Sequence, residues 1–108
     1  LLLSTDVWAT ALIRRAQLAG AFAVVVRKGD AKAGAVLVKI YNPLTRGAVL
    51  YASAVRGEGE TVWMQPMAEA SESELDAYIT RSRSRDPDLW VVEIEDREGR
   101  NFLTEPVE

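Results

Sequence analysis

An α+β fold is predicted by three observations. The chain opens with a helix-period apolar segment, continues through four β-branched runs separated by turn residues, and then shows a capped second helix followed by more β-rich sequence. Its 108 residues, 48% hydrophobic and 27% charged, are of ordinary globular composition and of a size for a single domain spanning 1–108. No apolar run approaches the ~20 residues of a membrane span.

Thr5-Asp6 supplies helix-starting chemistry and Gly20 a stop, so residues 6–19 read as a helix. At about 100° per residue, Trp8, Ala9, Leu12, Ile13, Ala16 and Ala19 share one face. Val7, Ala11 and Leu18 form a second apolar strip beside Arg15. Residues 21–28 then read as a strand ending at Gly29-Asp30, and residues 34–41 as a strand stopped by Asn42-Pro43. Residues 47–56 and 61–65 follow as strands, the first bounded by Gly57-Glu58-Gly59-Glu60 and the second by Pro66. Short connections predict an antiparallel meander. In it, Phe22/Val24/Val26, Val36/Val38/Ile40 and Val49/Tyr51/Val55 line one buried face, with Ala23, Val25, Arg27, Leu37, Lys39 and Tyr41 on the other.

Ser71-x-x-Glu74 is a capping box, and the helix it opens runs to about Arg85, ahead of Asp86-Pro87. Residues 89–95 read as a strand with Trp90, Val92 and Ile94 on one face. Residues 96–100 read as a hairpin connection, and residues 101–105 as a return strand ended by Pro106. The predicted order is α-β-β-β-β-α-β-β, two helices on an antiparallel or mixed sheet of about six strands.

The chain has no Cys and no His. That removes thiol nucleophiles, disulfides and thiolate metal sites, the Ser-His-Asp and Cys-His mechanisms, and the side chain that titrates near neutral pH. Acid–base chemistry would fall to Asp, Glu, Lys or Tyr with displaced pKa values. A metal site would have to be all-oxygen, for magnesium or manganese. No cofactor is implied. Leu1-Leu2-Leu3 is too short for a signal-peptide core of roughly 7–15 apolar residues, and a cytoplasmic protein is expected.

Three blocks carry a family likeness: Trp8-Ala9-x-Ala11-Leu12-Ile13-Arg14-Arg15-Ala16 running on through Gly20-Ala21-Phe22-Ala23 to Arg27-Lys28-Gly29-Asp30; Gly34-Ala35-Val36-Leu37-Val38-Lys39; and Asp86-Pro87-Asp88-Leu89-Trp90-Val91-Val92-Glu93-Ile94-Glu95-Asp96 with Gly99-Arg100-x-Phe102-Leu103. Together they resemble a small bacterial family, domain of unknown function 1491, known mainly from alphaproteobacteria. The likeness spans nearly the whole chain, residues 42–70 being generic. It implies a small stand-alone bacterial protein and brings no catalytic residue with it.

Charge is split along the chain. Residues 1–56 hold eight Lys and Arg against two acids, a net +6, and residues 57–108 five Arg against fourteen acids, a net −9. The plainer reading is that the halves neutralise each other in surface pairs on folding, or that subunits pack head to tail. The sharper one is a nucleic-acid-binding accessory protein using Arg14, Arg15, Arg27, Lys28 and Lys39, with Tyr41 as a stacking aromatic. Asp88, Glu93 and Glu95 are the candidate ligands of a magnesium- or manganese-dependent hydrolase, Glu93 and Glu95 sharing one strand face. Against that stands the solvated face of an edge strand. Arg81, Arg83 and Arg85 suit the negative end of a helix dipole, and Gly57-Glu58-Gly59 suits a hairpin turn. Of the three tryptophans, Trp8 and Trp90 read as core and Trp63 as exposed. The favoured reading is a non-catalytic protein–protein interaction domain, homodimeric, using Val7, Ala11, Leu18 and Trp63.

Overall fold

The computed structural model describes residues 3–108; Leu1 and Leu2, which begin the short leucine run, lie outside the described residues. Helix α1 (Thr5–Leu18) leads into strand β1 (Phe22–Arg27), and β2 (Val36–Tyr41), β3 (Ala48–Arg56) and β4 (Glu60–Met64) follow. Helix α2 (Glu72–Arg85) precedes β5 (Trp90–Glu95). The sheet order is β1-β5-β2-β3-β4, with β5 parallel to β2 and every other pair antiparallel. This is the expected α+β architecture, two helices on a mixed sheet, with five strands. Residues 101–105 do not form a return strand. They run without regular structure, and the chain meets the sheet again at a single parallel bridge from Val107 to Trp63.

Local chemistry explains both helices. The Gly20 N–H donates to the Gln17 carbonyl at 3.0 Å and the Ala21 N–H to Ala16 at 2.9 Å. These are the paired bonds of a Schellman stop, and Gly20 takes the positive φ (89°) that the stop requires. In α2 the Ser71 hydroxyl accepts the Glu74 N–H at 3.2 Å while a Glu74 carboxylate oxygen accepts the Ser71 N–H at 3.0 Å, so the predicted capping box is formed.

The meander is confined to β2–β4, because β5 is inserted between β1 and β2. The connection over residues 28–35 must therefore cross the start of β5. There the Trp90 indole donates to the Asp30 carbonyl at 2.7 Å and the Trp90 N–H to Ala35 at 2.8 Å. Gly29 and Gly34 lie directly on the Asp88 carbonyl, where a Cβ would collide with backbone. Gly34→Ala is therefore expected to lower stability by about 1–3 kcal/mol, read as a lower urea midpoint with an unchanged slope.

Helix α1 covers one face of the sheet. Its Trp8, Ala9, Leu12 and Ala16 join Val36, Val38, Ile40, Trp90, Val92 and Ile94 in one core. Helix α2 covers part of the other, where Leu75 and Ile79 meet Leu37, Leu50, Leu89 and Val91. One face assignment is reversed from expectation. In β1 it is Ala23 and Val25, opposite Ile94 and Val92, that face α1. Phe22 and Val24 face the other way, and they and Val26, which sits in the register shift before Arg27, are exposed. Small residues under α1 let the helix sit close to this strand, and the larger apolar ones are left outside. No helix among the described residues is long and apolar enough to cross a membrane.

Candidate functional site: an uncovered half-sheet and an indole-bound carboxylate

The face of the sheet that carries α2 is built from three cross-strand rows. Phe22, Glu95, Tyr41 and Ala48 form one, Val24, Glu93, Lys39 and Leu50 the next, and Arg27, Val91, Leu37 and Ala52 the third. Helix α2 packs over the β2–β3 end of these rows, against Leu37, Leu50, Ala48 and Ala52. Toward β1 neither helix of the described residues covers them. Phe22 is 62% exposed, Val24 39% and Val26 43%, a stripe of large apolar side chains on an edge strand. A shift of register between Val25 and Arg27 bends the strand end.

Acids frame that stripe. Glu95 stands beside Phe22 and Glu93 beside Val24. From above, Glu72 and Asp76 of α2 reach the Lys39 ammonium at 2.9 and 2.7 Å, and Glu93 reaches it at 3.7 Å. Burial penalises the Lys39 charge, but the hydrogen bonds it donates to Asp76 and Glu72 outweigh that and raise the pKa above its ordinary value. Lys39 is buried, whereas its three carboxylate partners are each about half exposed. The frame therefore presents four carboxylates to solvent around one concealed cation.

The opposite edge of the sheet is closed. The Trp63 N–H donates to the Pro106 carbonyl and the Glu108 N–H to the Trp63 carbonyl, both at 2.8 Å. Arg56 pairs with Glu108. The same segment brings Glu105 onto two stacked indoles, Trp8 and Trp63, whose ring centroids lie 5.3 Å apart. One Glu105 oxygen accepts the Trp63 indole N–H at 2.9 Å; the other accepts the Trp8 indole at 3.2 Å and the Thr104 hydroxyl at 3.1 Å. Partial burial opposes ionisation, yet these three donors hold the carboxyl below the usual Glu range.

The residues singled out from sequence are brought together only in part: Val7 and Ala11 line one surface cavity with Arg14 and Lys28, and Lys39 and Tyr41 line another with Glu93 and Glu95. Trp63, expected at the surface, is fully buried against Trp8 and Glu105, because the chain after β4 and α2 returns to cover its strand. Val7 and Leu18 are exposed and Ala11 is half-buried. Val7 and Leu18 stand eleven residues apart on α1, about 16 Å, too far to form one compact patch. Of the basic set, Arg15 donates twice to the Phe102 carbonyl and Arg27 to the carbonyls of Asp86, Leu89 and Pro87. With Lys39 buried, these three are committed within the fold, and Arg14 and Lys28 remain on the surface. Asp88 lies in the turn before β5, Glu93 faces Lys39, and Glu95 is beside Phe22. Among the described residues no group of three or more His, Cys, Asp or Glu is placed to hold a metal ion. The charge halves do interleave, as the plainer reading of the sequence expects, since acidic β5 lies between basic β1 and β2.

A different acid shows the strongest perturbation. Asp96 is buried and accepts the Arg100 Nε and Nη2 at 2.9 Å each, together with the Arg100 N–H at 2.8 Å. This charged fork moves its pKa from 3.8 to about 2. A depressed carboxyl stabilises the fold above its unfolded pKa, and the contribution is lost as pH falls. Asp96→Asn is accordingly expected to cost about 1–3 kcal/mol at neutral pH. The difference from the parent protein should shrink between about pH 4 and pH 2, checked by urea unfolding across that range.

Comparison with known proteins gives one family. The sequence profile of the proteins of unknown function DUF1491 matches residues 3–104. A crystal structure of a DUF1491 family protein from Caulobacter crescentus CB15 is 62% identical, covering 98% of this chain and 99% of that one, with a TM-score of 0.93. An NMR structure of a DUF1491 family protein from the same organism gives the same identity and TM-score over 100% of this chain and 98% of that one. A solution structure of a protein from A. tumefaciens is 34% identical over 98% of this chain and 96% of that one, with a TM-score of 0.80. No protein of curated function matches the sequence.

Proposed function

We propose that this chain, which belongs to the DUF1491 family of proteins of unknown function, is a non-catalytic protein-binding domain whose partner lays a basic amphipathic helix on the uncovered half of the sheet. The observation that carries this reading is the exposed Phe22/Val24/Val26 stripe framed by Glu93, Glu95, Glu72 and Asp76. Strands lie about 4.8 Å apart and a helix with its side chains is about 10–12 Å wide. The β1–β5 half thus has the width of one helix beside α2. Apolar side chains at helical spacing would cover the stripe, and Lys or Arg on the flanks would meet the acids. A second copy of the chain fits this face poorly, because its own acidic frame would be set against an identical one.

A photo-crosslinking side chain at Val24, with the same group at Val55 as an exposed control on another strand, tests the proposal in the native host. Capture at Val24 and not at Val55, with the crosslinked segment rich in Lys or Arg at helical spacing, is the expected outcome. Equal capture at both positions, an acidic crosslinked segment, or crosslinking of the chain to itself would each overturn it.

A further inference from the structure

We infer that the cavity between α1, the β3–β4 turn and the C-terminal segment binds a small zwitterion of the α-amino-acid class with an apolar side chain. The cavity is open to solvent on one side and has a volume of about 540 Å³, within the roughly 300–1,000 Å³ range of small-molecule sites. Leu3, Trp8, Ala11 and Pro106 make its walls largely apolar, and three charged side chains, Arg15, Glu60 and Glu105, line it. Glu60 is paired with Arg56 at 3.7 Å, which leaves Arg15 and Glu105 as the cation and anion of the site. These charges are not spent on each other. Arg15 gives its Nε and Nη2 to the Phe102 carbonyl at 3.2 and 2.9 Å, which fixes the guanidinium and leaves Nη1 unengaged among the described residues.

Glu105 is fixed by the two indoles and Thr104, and its Oε1 accepts the Trp63 indole alone, so one lone pair there is open. A fixed cation and a fixed anion in one apolar cavity, each with hydrogen-bonding capacity left, complement a ligand that carries both charges. A simple carboxylic acid would leave Glu105 facing it unmatched, and a simple amine would do the same to Arg15. Because both groups are already held, little ordering accompanies binding. The site lies on the α1 side of the sheet, away from the Val24 stripe, and does not depend on the reading given to that stripe.

The test titrates the isotope-labelled full chain with L-leucine, 4-methylpentanoate, which lacks the ammonium group, and 3-methylbutylamine, which lacks the carboxylate. The three indole N–H signals are followed by NMR. The Trp90 indole is bonded to the Asp30 carbonyl and is the internal reference. Leucine is expected to shift the Trp8 and Trp63 signals saturably at millimolar concentration and leave Trp90 in place, with each analogue binding at least about tenfold more weakly. Ala11→Leu, which fills the cavity with a strong helix former, should abolish the response without losing the folded spectrum. Absence of a saturable leucine shift, equal binding of either analogue, or a response that survives in Ala11→Leu would overturn the inference.

Discussion

Replacing Glu105 with leucine is expected to lower the free energy of unfolding by about 2–6 kcal/mol, a large part of the 5–15 kcal/mol typical of a domain. The cost comes less from the carboxylate than from what it leaves behind. Trp8 and Trp63 are 4% and 0% exposed, so their indole N–H groups lose their acceptor in a largely buried setting, and each abandoned donor costs about 1–3 kcal/mol. Glu105→Gln keeps one acceptor oxygen and should lose roughly half as much. Because the carboxyl sits below the usual Glu range, its contribution is complete above the unfolded pKa and declines as pH falls through the folded value. Urea unfolding of the parent and both variants at neutral and acidic pH checks the order and the sign. Leucine and glutamine variants of parental stability at neutral pH would show that the two indoles find other acceptors.

Lys39→Met should be the next most damaging change, lowering stability by about 2–4 kcal/mol. Methionine preserves the apolar stem, so the loss isolates the ammonium group that ties Glu72 and Asp76 of α2 to Glu93 of β5. The three carboxylates that remain repel one another but are half exposed, which keeps the cost below that of a sealed ion left alone. The same variant makes the frame around Val24 more negative by one charge. It should therefore bind a basic helical peptide more tightly while melting earlier, a combination that general unfolding does not produce. Thermal melts and a peptide titration, both below the melting transition, read the two effects separately.

Much of the scaffold is legible in the residues because its signals are local. The Ser71/Glu74 box, the Gly20 stop and the turn residues around Asn42 and Gly57 act within a few positions of themselves. Strand partnership is not local. β5 inserts between β1 and β2, and the cue that permits it, glycine at 29 and 34 against the Asp88 carbonyl, has no meaning until both segments are placed.

The face assignment of β1 fails for a related reason. Both alternating sets of that strand contain valine, so periodicity alone does not say which set is buried. The small Ala23 beneath α1 decides it. That reversal moves the candidate surface from the first helix and Trp63 to Phe22, Val24 and Val26. Glu105 had no motif around it, since its role depends on two tryptophans 97 and 42 positions away.

Docking of a basic helix on the uncovered half of the sheet is read by mapping amide shifts of the full chain during titration with a designed Leu/Lys amphipathic helix and its Leu/Glu twin. The Leu/Lys peptide is expected to perturb residues 22–26, 93 and 95, its binding to weaken as salt is raised, and Val24→Asp to remove it while the spectrum stays folded. Equal perturbation by the Leu/Glu peptide, or perturbation centred away from Val24, would contradict it.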